Sequence, residues 1–216
     1  MKQLTLRLRG FTLVELSVSL AIMGVLMVIM LSRYPDSALR INLANYTHSL
    51  ALLIREAQLR GSAVDSSSGA YGGYGVFVTQ SDTRSIVFFG DSVEGAGSQG
   101  IAVGNGLYDT ASVIAETKST TTLPLSFRIS KMCAATISGT SCNQTAAYGV
   151  PAISNLTISF TRPNSQAKIY VNQNSAVRYT SACIELSTNR APQTGHRRSV
   201  QVSSSGMVTT SYSPCE

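Results

Sequence analysis

The chain has 216 residues, of which 13% are charged and 44% hydrophobic, with no Trp and a formal net charge of +6. So low a charge density, with abundant Ser, Thr and Gly, argues against an ordinary cytoplasmic enzyme and for a secreted, β-rich domain. Three of the 17 basic residues, Lys2, Arg7 and Arg9, crowd into the first ten positions, which leaves 14 against 11 acids for the rest.

Directly after that basic leader, Phe11 to Leu31 reads FTLVELSVSLAIMGVLMVIML. As a helix these residues span about 31 Å, enough to cross the hydrocarbon core of a bilayer. The preceding cations fit the positive-inside rule. A cleaved secretory signal has a shorter apolar core and a small-residue cleavage site after it; no such site follows here. A plain signal anchor is the simplest alternative, and Glu15 argues against it. A carboxylate at mid-membrane costs about 2.5–3.5 kcal/mol, less near the edge, and nothing in the apolar run is expected to partner it. If the chain is cut between Gly10 and Phe11, the new α-amino group of Phe11 is a cation at the same end of the helix. Glu15 of one subunit then meets the Phe11 amine of another, and a single acid marks the register of assembly, as a lone polar residue does in a coiled coil.

RLRG followed by FTLVELSVSLAIMGVLMVIM resembles the N-terminal signal of type IV pilins and of the pseudopilins of type II secretion. The family pattern is a basic leader ending in Gly, then Phe, a Glu at the fifth mature position, and about twenty apolar residues. Gly10, Phe11 and Glu15 occupy those places. The resemblance implies cleavage after Gly10 by a prepilin peptidase on the cytoplasmic face and N-methylation of Phe11. It implies an α+β pilin fold, in which a long N-terminal helical spine packs on a C-terminal antiparallel β-sheet head. It also implies a single pass through the inner membrane with an extracytoplasmic head.

Four segments are expected: a cleaved leader over 1–10, a membrane or fibre-core helix over 11–31, the amphipathic second half of the spine over 32–61, and a β-rich head over 62–216. Pro35 predicts a kink or break, with Asp36 or Ser37 capping the helical segment after it. In that segment Leu39, Leu43, Tyr46, Leu50, Leu53, Ile54 and Ala57 recur at helical steps and form one apolar stripe. Gly61 is the expected stop. A helix from Phe11 to Arg60 would be about 75 Å long. His48 on it is expected to be exposed or capping.

In the head, alternation and polar turns predict strands over 74–80, 84–89, 123–130, 154–162, 167–172, 181–187, 198–203 and 206–211. Residues 90–122, rich in Gly, Ser and Thr, are expected to form a long surface loop holding at most a short helix. LLIREAQLRG at 52–61, YGVFV, and the late RRSVQVSSSGMV make the chain similar to the group joining H-type pseudopilins with T-type minor pilins. Some T-type members carry a basic G-R-x-R motif that contributes to DNA binding. Here Gly206 is followed by Met207 and Thr209 in place of both arginines, which removes that argument at those positions.

Cys133, Cys142, Cys183 and Cys215 include no C-x-x-C and have no neighbouring His, so zinc is poorly supported. Their even number fits disulfides in an oxidising compartment. Three connectivities are open; the one taken is Cys133–Cys142, closing a small loop, with Cys183–Cys215 tying down the C-terminus. Free buried thiols are the alternative. GAGSQG at 95–100 has the G-x-G-x-x-G spelling but no helix pattern after it, so a flexible loop is expected rather than a dinucleotide site. No NTPase loop and no G-x-S-x-G are present. Asp91, Glu94 and Asp109 could offer oxygens to calcium, at a spacing that fits no defensible pattern. No metal, no cofactor and no enzymatic activity are therefore expected.

The distal charge is the remaining feature. NRAPQTGHRR gathers Arg190, Arg197, Arg198 and His196, with Tyr170 and Tyr179 nearby as stacking surfaces, a candidate phosphate or DNA contact. Ordinary solubility charge on strand edges is the competing account. The expected role is that of a minor pilin, a structural subunit of a type IV pilus-like filament, with adhesion or DNA uptake as attached roles. A minor pseudopilin of type II secretion is the alternative, and a signal-anchored extracytoplasmic enzyme or binding domain the third reading. Expected partners are other pilin or pseudopilin subunits, the prepilin peptidase, an inner-membrane assembly platform and the lipid bilayer, with nucleic acid as a weaker expectation.

Overall fold

A computed structural model of the chain describes residues 10–63, 71–92, 105–109, 116–143, 152–161, 165–191 and 195–215. The leader before Gly10, GAGSQG and Glu94 lie outside those residues. Among the described residues the order is one helix, α1 (Leu13–Ser62), then ten strands. Residues up to Leu39 form one compact unit and Arg40–Glu216 a second; each is taken by itself.

In the first unit α1 runs without a break through Pro35. Of the expected kink or break, the break does not occur, and Asp36 and Ser37 are helix-interior residues rather than caps. Proline removes a single i to i−4 hydrogen bond, and the surrounding turns keep the helical assignment on both sides. Large apolar side chains are exposed along this segment, among them Leu13, Leu20, Ile22, Val25, Ile29 and Leu31.

In the second unit, Leu43, Thr47, Leu50, Ala51, Ile54 and Ala57 of α1 are buried. Leu43, Leu50, Ile54 and Ala57 belong to the expected stripe, whose Tyr46 and Leu53 are half-buried; Ala51 joins them, and Thr47 is admitted because its hydroxyl donates to the Leu43 carbonyl at 2.7 Å and so loses no hydrogen bond on burial. The helix continues one residue beyond Gly61. Gly61 is there for packing: a Cβ on it would drive into the Phe160 carbonyl. Tyr46 packs against Phe127, ring centroids 4.9 Å apart.

Two five-stranded sheets receive this half-helix. The first has the order β3-β2-β1-β6-β7, built from β1 (Tyr71–Thr79), β2 (Ser85–Ser92), β3 (Thr117–Thr122), β6 (Asn155–Thr161) and β7 (Ala167–Val171). The second has the order β10-β9-β8-β4-β5, built from β4 (Phe127–Thr136), β5 (Gly139–Cys142), β8 (Ser181–Thr188), β9 (Arg197–Ser203) and β10 (Val208–Ser211). Every pairing is antiparallel. The α+β layout is therefore the one expected from the sequence. Within 90–122, however, β2 extends to Ser92 and Thr117–Thr122 is a strand, so the segment is not one long loop. Residues 93–104 and 110–115 of that segment lie outside the described residues, so the short helix is not tested.

On the outer face of the first sheet, the loop 105–109 lays Tyr108 against Phe77 and Phe89, centroids 4.8 and 5.5 Å away. The Gly106 amide donates to the buried Asp91 carboxylate at 2.8 Å. Burial, with Glu116 and Asp109 nearby, pushes the Asp91 pKa up to about 6 against the pull of that amide and of Lys168. A carboxyl whose folded pKa lies above its unfolded value destabilises the fold when ionised, so the head gains stability as pH falls through about 6 and the gain levels off below the ordinary Asp value. Asp91→Asn keeps an acceptor for Gly106 and removes the charge. It is expected to raise stability above neutral pH by up to ~3 kcal/mol and to flatten the wild-type gain between pH ~7 and ~4. Thermal melts of the full chain in detergent across that range check this.

Candidate functional site

The N-terminal end of α1 is built by four residues. Helix residues begin at Leu13, which makes Thr12 the cap and Glu15 the third helical position. The Glu15 amide donates to the Thr12 hydroxyl at 3.2 Å. In return one carboxylate oxygen of Glu15 accepts from the Thr12 amide at 3.0 Å and from the Thr12 hydroxyl at 2.8 Å. This is a capping box. It satisfies amides that the first turn of any helix leaves without intrahelical partners, and it places the acid where the helix dipole favours negative charge. The sequence expectation that the apolar segment holds no partner for Glu15 is corrected: Thr12 is that partner. The T-x-x-E spelling of the signal was legible in TLVE.

The two bonds to Thr12 use the same oxygen, Oε2. Gly10 and Phe11 just ahead are exposed. Beyond Glu15 the helix is long and apolar enough to cross a membrane, and its most apolar window of 18 residues is 0% buried. Water is a poor solvent for such a surface, so it needs lipid or other copies of the same helix.

The family model of the prokaryotic N-terminal methylation motif matches residues 7–31. The chain carries the type IV pilin and pseudopilin signal. The match covers Gly10, Phe11, the capping box and the apolar run. It implies processing by a prepilin peptidase and assembly with other pilin subunits. No curated protein and no solved structure matches the chain.

The distal residues of the chain are placed differently from their neighbourhood in sequence. Arg197 and Arg198 are consecutive on β9, and consecutive strand residues point to opposite faces. Arg197 lies beside the buried Glu185, Nε to Oε1 3.8 Å; Arg198 lies over the Tyr212 ring, 4.0 Å from its centroid. Arg190 is exposed in the turn after β8. His196 is fully buried, its Nδ1 2.7 Å from the Thr188 hydroxyl, and Tyr179 is buried as well. The arginines, His196 and Tyr179 therefore do not make up one surface. The structure brings together the two sequence neighbours Arg197 and Arg198 only along the backbone.

Two disulfides are present, Cys133–Cys142 and Cys183–Cys215. Cys133 stands opposite Cys142 on β5 and opposite Cys183 on β8, and all four cysteines are buried together. Around them lies a polar anchor not foreseen from sequence. The buried Glu185 accepts from the Ser130 hydroxyl at 2.7 Å and from the Cys215 amide at 3.2 Å. Lys131 donates to the Cys215 carbonyl at 2.6 Å, and the Ser199 hydroxyl to the Ser213 carbonyl at 2.8 Å. These contacts hold the C-terminal segment on β4, β8 and β9. A buried carboxylate needs such a shell, since without it desolvation makes the charge strongly destabilising. Among the described residues no group of three metal-ligating side chains occurs.

Proposed function

We propose that the chain is a minor pilin, a structural subunit that enters a type IV pilus-like filament through the first half of α1. Prepilin peptidase cuts after Gly10, and Phe11 becomes the methylated N-terminus. The observation that carries this reading is the capping box combined with an unburied apolar helix. Thr12 holds the Glu15 carboxylate through one oxygen while the subunit waits in the bilayer. The other oxygen is then available to the Phe11 amine of the next subunit. The apolar surface of 13–31 exchanges lipid for neighbouring helices. Ile41, Leu52 and Leu59, each more than half exposed on the second half of the helix, offer further apolar contacts to neighbouring subunits.

In this reading the chain is structural and catalyses nothing. It sits in the inner membrane with its head outside the cytoplasm, and the assembly platform of that membrane lifts it into the fibre. The alternative is a minor pseudopilin of type II secretion, whose mechanics at the helix would be the same. Deleting the chain separates the two: loss of surface fibres with secretion intact supports the pilus, and loss of secretion with fibres intact supports the pseudopilus. Adhesion or DNA uptake would be added by the head. For DNA, the arrangement of Arg190, Arg197 and Arg198 gives separate single cations rather than a continuous phosphate track.

A further inference from the structure

A run of main-chain hydrogen bonds stitches the two sheets of the head together. The Ala167 amide of β7 donates to the Ser204 carbonyl at 3.0 Å, the Ser204 amide to the Thr180 carbonyl at 2.8 Å, and the Thr180 amide to the Ala135 carbonyl of β4 at 2.7 Å. At this seam lies a groove of about 810 Å³, within the roughly 300–1,000 Å³ range of ligand-binding clefts. Residues of β7 line one side and residues between Ser175 and Thr180 another.

A strained turn leads into that second side. Asn172 and Gln173, directly after β7, both have positive φ, 54° and 57°, and the Asn174 amide closes the turn on the Val171 carbonyl at 3.0 Å. Glycine is the usual residue at the second of these positions; glutamine there is held from outside. The Asn172 side chain accepts from the Ser154 amide at 2.7 Å and donates to the Ala152 carbonyl at 2.8 Å. Gln173 donates to the Tyr108 carbonyl at 3.0 Å. Backbone strain kept in place by its surroundings clusters at functional sites, where it holds a binding geometry ready.

The lining says what kind of ligand fits. Lys168 and Arg178 belong to it, and no Asp or Glu does. Among the described residues neither cation has an ion pair or a hydrogen bond; Asp91 acts on Lys168 through space alone. With them stand the hydroxyls of Thr180, Ser204 and Ser205 and the half-buried ring of Tyr170. Phosphate sites are commonly built on free main-chain amides at helix starts and nests. Here the amides of Ala167, Thr180 and Ser204 are already taken by the seam, which equally denies an added peptide strand its main-chain bonds. What remains is side-chain chemistry: two cations, several hydroxyls and an aromatic ring. A sugar bearing carboxylates answers each of these, with charge for the cations, hydroxyls for the hydroxyls, and the apolar C–H side of its ring for tyrosine.

We propose that this groove binds an acidic saccharide, its carboxylates set against Lys168 and Arg178 and its hydroxyls against Ser204 and Ser205. The proposal rests on the head alone, so its failure leaves the account of the N-terminal helix untouched.

The test uses the full chain in detergent micelles and a fluorescein-labelled galacturonate oligomer, followed by anisotropy at fixed ionic strength. The oligomer is expected to bind. Its methyl ester, the same sugar without charge, and a glutamate peptide of equal charge without sugar are each expected to bind at least ~10-fold more weakly. Arg178→Gln and Lys168→Gln, both at exposed positions, are each expected to weaken binding of the oligomer by at least ~10-fold. Lys118→Gln, exposed on β3 at the opposite edge of the same sheet, is expected to leave it unchanged. The proposal is overturned if the oligomer does not bind, or if its methyl ester or the glutamate peptide binds as well as it does. It is overturned too if Lys118→Gln weakens binding as much as Arg178→Gln, since general charge attraction would then explain the affinity. Displacement of the oligomer by single-stranded oligonucleotide of equal charge would also overturn it, because the site would then read phosphate rather than sugar.

Discussion

Replacing Glu15 by Val is expected to reduce incorporation of the chain into filaments by at least ~10-fold, which is ~1.4 kcal/mol, while membrane insertion and both disulfides stay intact. Insertion does not suffer because an apolar residue replaces one that costs about 2.5–3.5 kcal/mol at the bilayer centre. Assembly suffers because the only acid between Gly10 and Pro35 is gone, and the incoming Phe11 amine finds no counter-charge. Glu15→Gln separates the two roles of the side chain. Glutamine also completes a capping box, so the helix start is kept and only the charge is lost. Sheared filament and membrane fractions, blotted for the chain, measure both variants. If Gln assembles as Glu does, capping alone explains the residue.

The second large effect is on the head. Opening Cys183–Cys215, which closes a separation of 32 residues, by the double change to Ser is expected to cost about 3–4 kcal/mol. Opening Cys133–Cys142, with a separation of 9, is expected to cost about 1 kcal/mol less on loop closure alone. The gap widens for a local reason: only the first bond pins the segment whose main chain meets Glu185 and Lys131. At roughly 2–4 °C per kcal/mol for a chain of this size, melting of the two double variants by circular dichroism resolves the order. Equal losses, or a larger loss for the Cys133 pair, would contradict it.

The helix was legible because its signals are local. The apolar run has the length a bilayer needs, and the stripe from Leu43 to Ala57 has helical spacing. The strand β3 was not legible: TKSTTT is exposed at all six positions, so it carries no alternation and pairs only through its backbone with β2. Strand β4 was displaced toward its C-terminal side for the opposite reason. KMCAAT is buried or half-buried throughout, which erases the period of two, while LPLS before it contains the Pro that cannot donate to a ladder. The break at Pro35 was over-read, because one missing amide bond does not end a long helix.

The candidate site divides along the same line. Gly10, Phe11 and Glu15 stand out because an acid in an apolar run is conspicuous, yet that very contrast hid Thr12, whose bond to Glu15 spans three positions. The distal arginines looked like a patch because they are adjacent in sequence, whereas a strand sends neighbours to opposite faces. Pairing of the cysteines was open in sequence for a reason visible in the register: Cys133 faces Cys142 on one side and Cys183 on the other.

Everything proposed for assembly depends on the N-terminus that the mature subunit presents. Mass spectrometry of the chain recovered from membranes and from sheared filaments decides it. The account predicts a polypeptide that begins at a methylated Phe11 in both fractions. Recovery of the uncut chain from mature filaments, still beginning at Met1, would contradict it.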